Sequence, residues 1–157
     1  LPEEIADRED LKYAELYMLL PGDWNVGEEN RTAQDLPYES FWPIQMLKFL
    51  ARFPHEYQTW LGWGHTIPNG PDYTPICEGL GFGGAVLDQL TLVPPVKTED
   101  GKEISMLMVV PAYKEEIEFK LKYGMEGLSD RFAERKLPLV LDIHRPNFCE
   151  DFHEVLD

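Results

Sequence analysis

His55 and Glu56 stand side by side, His65 follows ten residues on, and Cys77 comes twelve after that. Imidazole and carboxylate are both zinc ligands, so His55, Glu56 and His65 raise a metal-hydrolase reading, with Asp142 or His144 available to complete a set. The two-turn zinc motif that begins with His-Glu needs a second histidine at position 59, which is Thr59. A cysteine hydrolase would pair Cys77 with His65, and an acid/base enzyme would pair Glu56 with a second carboxylate. Neither arrangement carries a nucleophile elbow or a cysteine-protease signature. Cys77 is moreover followed by Glu78, whose charge disfavours a thiolate.

The run Gly79 to Gly84, GLGFGG, matches a dinucleotide-binding fingerprint letter for letter. That fingerprint works only between a strand and a helix N-terminus, and here Pro75 to Glu78 precede it and a strand follows. These residues therefore predict no enzyme and no cofactor. The alternative is a hydrolase or metal-binding protein built on His55, Glu56 and His65. His65 otherwise suits a packed imidazole whose nitrogens hold loop carbonyls.

The elements that must position these residues centre on Phe41 to Gly70, which contains Trp42, Trp60 and Trp63 out of four tryptophans. Ser40 offers a helix N-cap and Pro43 a first-turn proline, so a helix is expected over Phe41–Arg52. Ile44, Leu47, Leu50 and Ala51 mark one face and Met46, Phe49 and Phe53 another, which predicts a helix covered on most sides. Pro54 predicts a break at Phe53 and a second short turn. From Leu61 to Gly84 the density of glycine and proline predicts an ordered loop without regular structure.

Before this centre, Leu1–Asp10 reads as a polar turn, Leu11–Leu20 as a strand ended by Pro21-Gly22, and Asp23–Tyr38 as a long connection. After it, Ala85–Val93 alternates like a strand, Thr98–Lys102 is a turn, and Ile104–Val110 is an apolar strand suited to the middle of a sheet. Lys114–Lys136 has helical periodicity, with Glu116–Lys120 and Glu118–Lys122 as expected ion pairs and a kink near Tyr123 where Gly124 and Gly127 fall. Leu139–Ile143 reads as a last strand before an acidic tail. There is no internal repeat.

The chain has 29 acidic and 14 basic residues, a formal charge of −15. Phosphate backbones are repelled by such a surface, which excludes nucleic acid, whereas a basic protein partner is attracted. No apolar run reaches the roughly 18 residues of a membrane span. Cys77 and Cys149, far apart and outside any paired motif, predict reduced thiols and a cytoplasmic setting.

Four segments, in order, resemble the suppressor-of-fused domain, in particular its bacterial branch. They are AELYMLLPGDW (14–24), WPIQMLKFLARFPHEY (42–57), TWLGWGHTIPNG (59–70) and LMVVPAYKEEIEFKLKYG (107–124). The resemblance implies a single domain over 1–157 of the α+β class, a mixed α/β sandwich whose mostly antiparallel or mixed sheet is flanked by helices. It also implies a protein-binding module without catalysis or cofactor. Animal relatives sequester Gli transcription factors, and bacterial relatives look like immunity proteins of polymorphic toxin systems.

Two departures qualify this. Family domains have further strands before the equivalent of Leu1, and animal members carry an acidic residue where this chain has Gly64. The first leaves a strand edge that another copy could pair with; the second argues against Gli. The expected function is thus to sequester or neutralise a protein partner, a basic toxin fitting best, with Phe53, Tyr57, Trp60, Trp63, His65 and Asn69 as the binding residues.

Overall fold

The structure is a computed structural model, and it describes residues 1–27, 35–152. Part of the expected connection between Asp23 and Tyr38, and the end of the acidic tail, lie outside the described residues. Two short 3-10 turns, Glu3–Ile5 and Glu9–Leu11, lead into β1 (Tyr13–Tyr17). Then follow α1 (Tyr38–Glu56), β2 (Thr66–Pro68), β3 (Gly84–Asp88), β4 (Val96–Lys97), β5 (Glu103–Ala112) and α2 (Lys114–Glu134). The sheet has the order β1-β5-β3-β2, with β4 paired to β5 off this path. β1 runs parallel to β5, while β2 against β3 and β4 against β5 are antiparallel. The fold is α+β with a mixed sheet, as expected. Among the described residues no helix is long and apolar enough to cross a membrane.

The chain divides into two compact units. The first comprises Leu1–Met18, Asn25–His65 and Leu87–Val109, and the second Leu19–Trp24, Thr66–Val86 and Val110–Asp157.

In the first unit α1 differs from its prediction in three ways. It begins at Tyr38 behind Pro37, whose carbonyl accepts the Ser40 and Phe41 amides, so Ser40 is inside the helix and not its cap. It continues through Pro54 to Glu56 without a break. A proline inside a helix costs ~3 kcal/mol and each buried large apolar side chain returns ~1.5–3 kcal/mol. Trp42 and Leu50, both 1% exposed, offset that cost, and Pro54 lies in the last turn, where few bonds remain to lose. Finally, the helix is not covered on most sides: Phe49, Ala51 and Arg52 are exposed.

β1 is shorter than the expected Leu11–Leu20. The hairpin after Pro95 forms as predicted in its turn: Gly101 takes φ +82°, its amide bonds to Thr98 O at 3.0 Å, and Thr98 N bonds to Lys102 O at 2.9 Å. The partner of β5 there is β4; the alternating run Ala85–Val93 forms a strand only to Asp88. At that point Asp88 Oδ1 takes the Gln89 amide at 2.8 Å and ends the ladder.

In the second unit the segment expected to lack regular structure contains β2, paired in register Thr66↔Val86 to Pro68↔Gly84. Glycine makes this pairing possible: a Cβ at Gly84 would lie 2.6 Å from Ile67 O and 2.7 Å from Ile117 Cδ1. The fingerprint-like glycines serve packing in the same way, Gly83 fitting under Tyr73 and Gly81 under the Tyr113 ring.

The kink expected in α2 is present at Gly124, where φ is 78° and ψ 171°. The Glu116–Lys120 pair is absent because Glu116 lies on the buried face with Ile117 and Phe119, and Glu118 is paired with Lys114 at 3.8 Å. In place of a strand over Leu139–Ile143 there is one bridge, Leu19↔Val140, with Leu139 and Val140 both exposed. The segment read as a polar tail instead buries Arg145, Phe148 and Cys149.

Arg145 is the hub of this second core. Its guanidinium grips Glu116 with both nitrogens, at 2.8 and 2.6 Å, and also donates to Pro111 O at 2.9 Å and Pro146 O at 3.0 Å. Phe82, Tyr113 and Phe148 surround it at 5.1–5.2 Å from ring centroid to guanidinium carbon. Glu116 accepts further bonds from the Tyr113 amide at 2.9 Å and the Phe148 amide at 3.2 Å. A charge pair this deeply buried is tolerable only when so completely bonded.

Candidate functional site: an exposed aromatic stripe

The first unit carries the aromatic residues singled out from sequence, with the exception of Asn69. Residues four apart on a helix share a face, and Phe49, Phe53 and Tyr57 at the end of α1 do so. The Phe49 and Phe53 rings meet edge-on with centroids 5.9 Å apart, and Phe53 and Tyr57 are 4.5 Å apart. Phe49 is 44% exposed and Tyr57 61%. Phe49 was missed as a site residue because its face of the helix was expected to be covered; the spacing 49, 53, 57 was the signal that could have found it.

Beyond the helix the chain turns at Gln58, which takes φ +51° while its side-chain amide donates to His55 O at 3.1 Å. Trp60 is then half-buried against His65, their rings 4.3 Å apart. Gly62 is required here, since any Cβ would overlap the six-membered ring of Trp60. Gly64, at φ +80°, donates its amide to Leu87 O at 2.8 Å, and Leu87 N returns to His65 O at 2.9 Å.

That pairing to the start of the sheet segment leaves Trp63 pointing outward, 45% exposed. Its indole N–H is tied to Asp88 Oδ1 at 3.1 Å, which fixes the ring. Nearby in charge, the Tyr17 hydroxyl is buried without a hydrogen-bond partner among the described residues. Burial, and then the Asp88 charge, push its pKa above the ordinary tyrosine value.

Asn69 belongs to the second unit, where its amide serves the local turn. Nδ2 donates to Thr74 O at 2.7 Å, and its backbone N–H to Gly83 O at 2.8 Å.

The residues of the alternative metal reading do not gather. His55 and Glu56 are exposed at the end of α1 and His65 is packed against Trp60. Among the described residues no group of three or more His, Cys, Asp or Glu side chains is placed to hold an ion. Both cysteines are buried, and burial, followed by the Glu116 charge, pushes the Cys149 thiol up to about 11. Such a thiol is a poor nucleophile at neutral pH.

An α+β domain that displays locked aromatic rings, without a gathered set of catalytic or ligating groups, is of the class built for contact. The family model described as "Suppressor of fused protein (SUFU)" matches residues 1–146, and the chain belongs to that family. A search of curated proteins gave no match. Among solved structures, the chain is similar to one described as the Sufu-Fu complex, at 16% identity and a TM-score of 0.61, over 87% of this chain and 58% of that one. It is also similar to Drosophila Suppressor of Fused, at 17% identity and a TM-score of 0.56, over 80% of this chain and 28% of that one. The chain thus spans little more than half of the first of these and under a third of the second, and the likeness establishes the shared fold.

Proposed function

We propose that this chain is a protein-binding module that acts without catalysis or cofactor, by sequestering a protein partner. The observation that carries this is the stripe Phe49, Phe53 and Tyr57, which with Trp63 leaves large rings in water at fixed orientations. Aromatic anchors of this kind dominate the energetics of protein interfaces, because they bury much area while losing little rotamer freedom. Membership of the suppressor of fused family supports the reading, as does the description of one similar structure as a complex between two proteins.

The net charge of −15 favours a basic partner. Within the bacterial branch that partner is a toxin, and the module is its immunity protein, working in the cytoplasm. The test is a titration of the purified chain with the product of a toxin-like reading frame adjacent to its own, at low salt. Binding is expected, and Tyr57→Ser is expected to weaken it at least tenfold, as loss of one hot-spot ring does (~1.4 kcal/mol per factor of ten). Absence of binding defeats the immunity role; binding untouched by Tyr57→Ser, Phe49→Ser and Trp63→Ser defeats the stripe as the surface.

A further inference from the structure

We infer that the first unit has a second docking surface, an open cleft along β1 that accepts an extended, acidic segment of another polypeptide as an added strand. This surface goes beyond the aromatic stripe and does not depend on it. β1 ends the sheet order, and among the described strands it pairs with β5 alone. Successive residues of a strand in a parallel pair turn their N–H and C=O groups alternately toward and away from the neighbour. The outer edge of β1 is therefore a template for strand addition, the mode in which backbone bonds supply affinity and side-chain pockets supply selectivity.

The space beside that edge is already formed. A cleft of about 930 Å³ lies between β1 and α1, with Ala14 and Leu16 on the strand side and Leu47 and Leu50 on the helix side. Ala14, near the middle of β1, is exposed, so the floor is bare.

Charge selects the occupant. The chain has 29 acidic residues against 14 basic, yet the charged and titratable side chains lining this cleft are Lys12, Lys48 and His55 against Glu15. The local sign is the reverse of the molecule's. Lys12 is loosely paired with Glu9 at 3.7 Å, whereas Lys48 stands exposed over the Phe41 ring at 5.8 Å. A second copy is the less suited occupant. An antiparallel pairing of two β1 edges about their midpoint sets Glu15 opposite Glu15, and like charges directly across a ladder repel.

The experiment uses the full chain and two fluorescein-labelled synthetic peptides, Glu-Thr-Val-Thr-Val-Thr-Glu and its counterpart with Lys at both ends, both capped. Alternation places the valines and the terminal charges on one face. Fluorescence anisotropy is expected to show the Glu peptide binding about five-fold more tightly, the size of effect an exposed charge pair gives. The Lys48→Glu variant, which alters an exposed side chain, is expected to invert the preference. Amide resonances of Ala14 to Leu16 are expected to shift on binding, and a Glu peptide N-methylated at both valines to lose affinity. Equal affinity for the two peptides, undiminished binding of the N-methylated peptide, or no binding at about 1 mM (~4 kcal/mol) would each overturn the inference. So would self-association that shields Ala14 to Leu16, which would assign the edge to a second copy.

Discussion

At the scale of single residues, two tryptophans close in sequence are assigned opposite roles by their surroundings. Trp42 is 1% exposed and Trp63 45%. Trp42→Ala is expected to cost about 3–5 kcal/mol, as removal of a fully buried large ring does. Trp63→Ala forfeits one hydrogen bond and a half-wet ring, about 1 kcal/mol, and urea denaturation of the two variants separates them. If Trp63→Ala matched Trp42→Ala, the loop would be core and its use as a contact surface would fail. The Arg145–Glu116 pair makes a different residue-scale prediction. Arg145→Met strands a buried carboxylate and is expected to destabilise by about 3–5 kcal/mol, while adding Glu116→Leu restores part of the loss. The Cys149 thiol gives a pH signature. Its folded pKa, about 11, lies above that of an unfolded thiol, ~8.5. The folded state thus holds the proton more tightly, and this contribution is whole below ~8.5 and is lost as pH rises toward 11. Urea midpoints of the native chain should fall more steeply over that interval than those of Cys149→Ala.

At the scale of elements, Gly124 is the joint of α2. Its φ of 78° with ψ of 171° is a region open in practice to glycine alone, so Gly124→Ala is expected to cost about 1–3 kcal/mol, read as a lowered thermal midpoint. This joint was legible in the sequence because two glycines interrupt an otherwise regular apolar repeat. β5 was legible too, since Met106 to Val110 is too apolar for anything but a covered strand, and the end of α2 was placed to within two residues. The failures have a common cause: local rules were overruled by contacts far away in sequence. Pro54 signals a break only until Trp42 and Leu50 hold the helix in place. β2 hides among glycines because Gly84, by lacking a side chain, lets it approach. The run Leu139–Ile143 has the composition of a strand but finds one bridge, at Leu19. Arg145 was invisible for the same reason, although a lone arginine followed by Pro146, with Phe148 and Cys149 just beyond, was an odd neighbour for an acidic tail. The site residues were legible as types, aromatic and glycine-spaced, but which rings face water depended on where α1 is covered.

For the molecule as a whole, the excess of negative charge sets how partners arrive. Raising ionic strength from about 0.01 to 1 M shortens the Debye length from ~30 to ~3 Å. Association of a basic protein partner should slow steeply over that range in stopped-flow measurements, with dissociation changed far less, because exposed charges steer encounter more than they hold the complex. An association rate indifferent to salt would remove charge from the account of partner choice. The buried guanidinium has a consequence of another kind, for synthesis. Glu116 is translated 29 residues before the arginine that neutralises it. At ~5–20 residues per second, the nascent helix waits about two to six seconds with a carboxylate that has no place in an apolar interior. The second core therefore cannot close behind the ribosome as it grows; Arg145 is the latch, and a chain stalled before it emerges should remain open to protease.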